Sequence, residues 1–144
     1  MEIDRNGLEV LDRDECLRLL RHRRLGRLGV TSGALPTILP VNYWSDGESI
    51  YVRTSPGSKL DAALRDAVVA FEIDDVDAIE HAGWSVVVTG VAREVTDPFE
   101  LAAALSAPLA RWAPSPDGHV IAISTEMVSG RRMGGMPLSA ARVD

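Results

Sequence analysis

The residues with the most chemistry in the shortest span run from Arg53 to Lys59. Arg53-Thr54-Ser55-Pro56-Gly57-Ser58-Lys59 delivers a guanidinium, three hydroxyls, a flexible glycine and an ammonium to one place. Arginine offers a planar fork for phosphate oxygens, and lysine offers a point charge. Leu60–Leu64 then reads as one or two helical turns, and a helix start carries unpaired N–H groups that receive anions. Of 15 basic residues in the chain, only Lys59 is a lysine. The stretch reads as a phosphate cradle. It reads equally as a capped turn, with Ser58 as N-cap and Asp61 closing a weak capping box. It matches neither Gly-x-x-x-x-Gly-Lys-[Ser/Thr] nor Gly-x-Gly-x-x-Gly, which disfavours a nucleoside triphosphatase and a Rossmann enzyme.

No other constellation competes. His22, His81 and His119 share no ligand spacing with one another or with Cys16, so no metal site is expected. Asp74, Asp75, Asp77 and Glu80 read as a solvated acidic loop. A hard-cation site is the lesser reading there, because the calcium-loop pattern of ligands and glycine is missing. No acid–base pair and no nucleophile with a neighbouring base is visible, so no catalytic side chain is assigned. Cys16 reads as a small core hydrophobe rather than a reactive thiol.

The elements that must position the loop are mostly strands. Ser49–Arg53 alternates Ile50 and Val52 against Tyr51 and Arg53 and leads into it. Strands are also expected at Arg27–Thr31, Leu35–Trp44, Ala67–Ile73, Trp84–Val95 and His119–Glu126. Pro36 and Pro40 require the second of these to be an edge, bulged or interrupted. The β-branched run Val86-Val87-Val88 predicts burial on both faces. Asp12 with Glu15 marks a capping box ahead of a leading helix at about residues 12–24. Asp97 and Pro98 open another helix, roughly Phe99–Leu109. Ala113–Gly118 is a loop, and the tail Val128–Asp144 shows no clear period. Six strands with short links and peripheral helices predict a mainly β chain, a closed or half-closed antiparallel barrel.

At 144 residues the chain is one domain by length, residues 1–144, long enough to bury a core without metals or disulfides. A net charge of −6 disfavours sequence-independent nucleic-acid binding. No apolar run approaches a membrane span, the start is polar and acidic, and the one cysteine cannot form an intrachain disulfide. A soluble cytoplasmic protein is expected.

Three blocks together resemble one family. They are Leu39-Pro40-Val41-Asn42-Tyr43, Val52-Arg53-Thr54-Ser55-Pro56-Gly57-Ser58-Lys59-Leu60, and Gly83-Trp84-Ser85-Val86-Val87-Val88-Thr89-Gly90. In order and separation they are similar to the pyridoxamine 5′-phosphate oxidase-like split-barrel flavoproteins, nearest the small branch that includes nitroimidazole-reductase-like members. The resemblance runs from the leading helix to Arg132. It implies a six-stranded antiparallel split β-barrel and a homodimer with FMN at its interface. By that resemblance Arg53, Ser55, Ser58 and Lys59 would hold the phosphate, and Thr54 would help close the loop. Pro40, Val41, Asn42 and Tyr43 would line the isoalloxazine, with Trp84 and Ser85 beside the ring. Arg131 would reach towards the flavin of the other subunit.

Tyr43, Trp84 and Arg131 also read as a barrel residue, an interface aromatic and a solvated tail charge. The flavin would carry the redox chemistry, with hydride moving directly to or from it. The chain is much shorter than true pyridoxamine 5′-phosphate oxidases and lacks a match to their substrate-phosphate residues, so the vitamin B6 reaction is not implied. The first functional reading is an FMN-dependent oxidoreductase acting on a small organic substrate, with a nicotinamide as electron partner. The second is an F420-dependent reductase on the same barrel, and the third a non-catalytic binding or sensory module.

Overall fold

The computed structural model describes residues 1–107 and 118–134. In chain order the elements are β1 (Glu2–Ile3), β2 (Glu9–Leu11), α1 (Arg13–Arg21), β3 (Leu25–Ser32), β4 (Leu35–Asn42), β5 (Trp44–Ser45) and β6 (Ser49–Thr54). They continue with α2 (Lys59–Ala63), β7 (Val68–Asp77), β8 (Ala82–Glu94), α3 (Pro98–Ser106), β9 (His119–Ser124) and β10 (Met127–Met133). The six strands expected from alternation are all among them.

Every strand pairing is antiparallel. One run of neighbours is β1-β2-β10-β8-β7-β3-β4, and a second is β8-β9-β6-β5. β8 belongs to both. Val68–Asp77 pairs along its first ten residues, and its end, Ala92–Glu94, turns to β9. The turn brings backbone close at Gly90, where an added Cβ would lie 2.9 Å from the Ser124 carbonyl oxygen. Only glycine allows that approach. The sheet does not close on itself; it is a split barrel. Among the described residues β4 ends the first run and pairs only with β3, so Pro36 and Pro40 sit on an edge, where proline is tolerated.

All three helix starts follow their sequence signals. The carboxylates of Asp12 and Asp97 and the hydroxyl of Ser58 each accept a backbone N–H three residues on, from Glu15, Glu100 and Asp61. α1 buries Cys16, Leu19 and Leu20 against the barrel, and burial pushes the Cys16 thiol up to about 11, which leaves it inert. The inward sides of β3, β6, β7, β8 and β9 fill one core with Leu28, Val52, Phe71, Val86 and Ile121. α3 covers the outer side of β6 and β9. There the Tyr51 hydroxyl donates to Glu100 at 2.8 Å, and Arg93 grips the same carboxylate at 2.9 and 2.8 Å.

Several expectations need correction. The tail is not featureless: Met127–Met133 is β10, between β2 and β8. The leading helix stops at Arg21, and Tyr43 interrupts the second predicted strand. The acidic stretch is largely strand, because β7 continues to Asp77; Asp74 and Asp75 are paired, while Asp77 and Glu80 are exposed. Arg23 reaches Asp75 at 2.6 Å, and Arg27 reaches Asp74 at 3.3 Å. β8 is buried on one face only. Val86 and Val88 are inside, while Val87 is 37% and Val91 51% exposed. The expected helix end at Leu109, the loop from Ala113 to Asp117 and the tail beyond Gly134 lie outside the described residues.

Candidate functional site

β6 ends by presenting two adjacent residues to opposite faces. Thr54 continues the inward register of Ile50 and Val52, and Arg53 shares the other register with Tyr51. The Thr54 side chain is buried, and its hydroxyl donates to Asp61 Oδ1 at 2.7 Å. The chain then turns through Ser55, Pro56 and Gly57, all exposed. Gly57 has φ +74°, and an added Cβ there would meet nothing within 4 Å. Its glycine therefore answers to backbone conformation, not to crowding.

Ser58 caps α2, its Oγ accepting the Asp61 N–H at 3.0 Å. That bond uses a lone pair and leaves the hydroxyl hydrogen available for an acceptor outside the loop. Lys59 is exposed and forms no ion pair among the described residues. The capped turn is thus real, and it displays the groups a phosphate needs.

The residues predicted to line a ring divide by face. On β4, Pro40 is exposed and Asn42 shares its outward register, while Val41 points into the core. Tyr43 follows, 1% exposed, edge-on to Phe71 at 4.7 Å between centroids. Its hydroxyl donates to the Leu20 carbonyl at 2.8 Å. Trp84 is also interior, with the Arg23 guanidinium 5.2 Å from its ring centroid and no hydrogen-bond partner for Nε1 among the described residues.

Ser85 is outward, in one row with Asp74 on β7 and Arg131 on β10. Arg131 is held by Asp4, Nε to Oδ2 at 2.8 Å. The chain therefore gathers Thr54, Ser55, Ser58 and Lys59 in one loop, with Arg53 at its entrance. It carries Pro40, Asn42, Ser85 and Arg131 on the outer sheet face, and keeps Val41, Tyr43 and Trp84 within.

Two residues of this region carry more contacts than their sequence signals promised. Asp61 was legible only as a capping residue. It is buried, and it ties Thr54, Gly57, Arg65 and His119 together. His119 carried no signal beyond opening a strand. On the outer face, burial first, then the hydrogen bond and charge of Asp74, push the Glu72 carboxyl up to about 7 against the opposing Arg27. A cleft of about 510 Å³ is lined by Arg23, Arg24, Leu25, Arg27 and Asp74, and none of the predicted site residues borders it.

Residues 12–132 match the family model described as pyridoxamine 5′-phosphate oxidase. The chain belongs to that family. The uncharacterized protein Rv0080 of Mycobacterium tuberculosis is 42% identical over 128 residues, covering 85% of this chain and 84% of the relative. Among solved structures, the FAD binding protein from Mycobacterium smegmatis is 36% identical with a TM-score of 0.78, covering 86% of this chain and 97% of that one. A FAD-binding protein from Mesorhizobium loti is 26% identical with a TM-score of 0.71, covering 87% and 96%. The match extends into β10, to Arg132, so the strand that the sequence pattern missed lies within the family's common frame. The pyridoxamine 5′-phosphate oxidase fold in this chain is the split barrel that the three sequence blocks implied.

Proposed function

We propose that the chain is a flavin-dependent oxidoreductase that works as a homodimer and seats the cofactor's phosphate on the loop from Arg53 to Lys59. The observation that carries this is the loop itself. Gly57 and Lys59 are exposed, Ser58 Oγ caps α2, and the buried Asp61 carboxylate accepts from Thr54 and Gly57 beneath them. Family membership makes a flavin phosphate the anion of choice. Charge-assisted hydrogen bonds from Lys59 and the Arg53 guanidinium, with the hydroxyls of Ser55 and Ser58, would bind it. When bound, the flavin supplies the capacity to exchange a hydride with a small organic substrate or a nicotinamide.

The outer sheet face supports the dimer. Ile38, Gly29, Ala70, Thr89 and Met127 form one row across five strands, and Val68 faces Val91 in the next. Ile38 is 75% and Val68 67% exposed, a flat apolar surface of the kind that marks an interface. Pro40, Asn42, Ser85 and Arg131 share that face, so a second copy laid on it would bring them around a ring. Val41, Tyr43 and Trp84 then act from inside the core, as support for that wall rather than as ring contacts.

FMN, FAD and F420 all offer the loop a phosphate. The 36% identity to a FAD binding protein favours FAD as a second reading beside FMN. Mass spectrometry of small molecules released from the purified, denatured chain, with the absorbance spectrum before release, tests this. A flavin nucleotide supports the proposal, and FMN, FAD and F420 differ in mass. Protein that carries no such cofactor and binds none on addition contradicts it. Turnover is tested by reduction of the bound cofactor with NADH or NADPH and reoxidation by candidate substrates.

A further inference from the structure

The buried carboxylate of Asp61 gathers groups from four pieces of chain. Thr54, at the end of β6, donates its hydroxyl to Oδ1 at 2.7 Å. Gly57, in the loop, donates its backbone N–H to Oδ2 at 3.3 Å. Arg65, just past α2, lies 3.3 Å from Oδ2 and 3.4 Å from Glu94 on β8. His119, the first residue of β9, places Nδ1 2.9 Å from Oδ1. An ionised carboxylate only accepts, so Nδ1 carries the hydrogen. The 3.3 Å approach of Arg65 Nη2 to that same nitrogen is then a contact without a bond. Burial opposes the charge on Asp61, but the bonds from Thr54, His119, Gly57 and Arg65 outweigh it and hold its pKa well below the ordinary 3.8.

This is more than a helix cap. Capping needs only the bond that Ser58 Oγ already makes to the Asp61 N–H. The Asp61 carboxylate reaches back past the cap to Gly57, the residue whose left-handed φ shapes the loop. It also fastens that loop to β6 below and to β9 beside it, 58 residues away.

We propose that Asp61 is the positioning residue of the anion loop and that His119 fixes its carboxylate from β9. The proposal rests on the cofactor reading for what the loop binds. A buried negative charge beneath a phosphate opposes binding unless it is met by positive charge. Arg65 meets it, and the Nδ1–H of His119 adds a hydrogen bond to the same carboxylate. The charged groups facing the imidazole are Asp61, Arg65 and, 3.5 Å from Nδ1, Glu94. Thr54 is its partner across the β6–β9 pair.

The test uses the full chain freed of cofactor, with the variants Asp61→Asn and His119→Gln. Amide hydrogen exchange at Gly57 is measured without ligand, and affinity is measured by titration with FMN. Asparagine presents one acceptor oxygen and an NH2 to four donors, so both readouts should respond. Gly57 exchange should quicken, and FMN affinity should fall, each by about ten-fold or more.

For His119→Gln, which replaces the Nδ1–H donor to Asp61 Oδ1, Gly57 exchange should quicken and FMN affinity should fall, each by less than in Asp61→Asn. Parent-like Gly57 exchange and parent-like affinity in Asp61→Asn overturn the positioning role. If Asp61→Asn does not fold, His119→Gln decides, and parent-like Gly57 exchange and FMN affinity in that variant overturn the proposal. If the parent binds no FMN, the cofactor reading fails, and Gly57 exchange alone decides what Asp61 does.

Discussion

Tyr43→Phe separates a ring-contacting tyrosine from a structural one. The hydroxyl donates to the Leu20 carbonyl at 2.8 Å, and the side chain is 1% exposed. Leu20 lies in the last turn of α1, where carbonyls lack intrahelical partners. Tyr43 thus closes the C-terminal end of the helix from the core side. Phenylalanine keeps the edge-on packing against Phe71 and removes only the oxygen. A buried carbonyl left without its donor costs about 1–2 kcal/mol. With unfolding entropy near 2.1 cal/mol/K per residue, 144 residues give about 0.3 kcal/mol/K, so Tm should fall by about 3–7 °C. Thermal melts of the cofactor-free protein read the first quantity, and titration with FMN reads the second. Affinity should stay within about two-fold of the parent, since the hydroxyl never reaches the outer face. A variant that melts like the parent but loses FMN would refute the reasoning and return Tyr43 to the ring.

Three further outcomes follow from particular contacts. Arg53→Lys should recover only part of the FMN affinity lost in Arg53→Ala, because an ammonium cannot reproduce the bidentate fork; full recovery in titrations would deny a bidentate contact. Val91→Glu places a carboxylate in the apolar row opposite Val68 and should weaken self-association by about two decades or more, with the circular dichroism unchanged. A variant sedimenting as a dimer would exclude this face as the interface. The Glu72 carboxyl sits at about 7 in the fold against an ordinary 4.5, so it favours the fold at low pH and loses that contribution as pH rises through about 7. Glu72→Gln should therefore raise Tm relative to the parent at about pH 8.5 more than at about pH 5. Equal shifts at both would show that Glu72 ionises freely.

The parts of the fold that local chemistry specifies could be read from the sequence. Asp12, Ser58 and Asp97 mark helix starts because capping is settled within three residues. Pro36 and Pro40 narrowed their strand to an edge, a bulge or an interruption because proline lacks a donor, and the edge is what the fold uses. β10 was missed because Ser129-Gly130-Arg131-Arg132 has neither alternation nor β-branching. Its place is set by tertiary fit: a Cβ on Gly130 would come within 2.7 Å of Cys16 Sγ. The interior placement of Tyr43 was available in part, since Leu39 and Val41 already define the inward register of β4. The open second face of β8 was not, because β-branched runs fill buried and interface strands alike. The Asp61–His119 link spans 58 positions with no local pattern, and only the pairing of β6 with β9 brings the two together.

The central claim is that the loop from Arg53 to Lys59 recognises a flavin's phosphate. Riboflavin lacks that phosphate and otherwise carries the same ring and ribityl chain as FMN. Affinities of both ligands for the parent and for Lys59→Ala make a cycle that isolates the contact. A charge-assisted hydrogen bond of about 1.5–3 kcal/mol predicts that the preference for FMN over riboflavin drops by about one to two decades in Lys59→Ala, while riboflavin affinity stays the same. An identical preference in parent and variant would contradict the account and leave the loop as a capped turn.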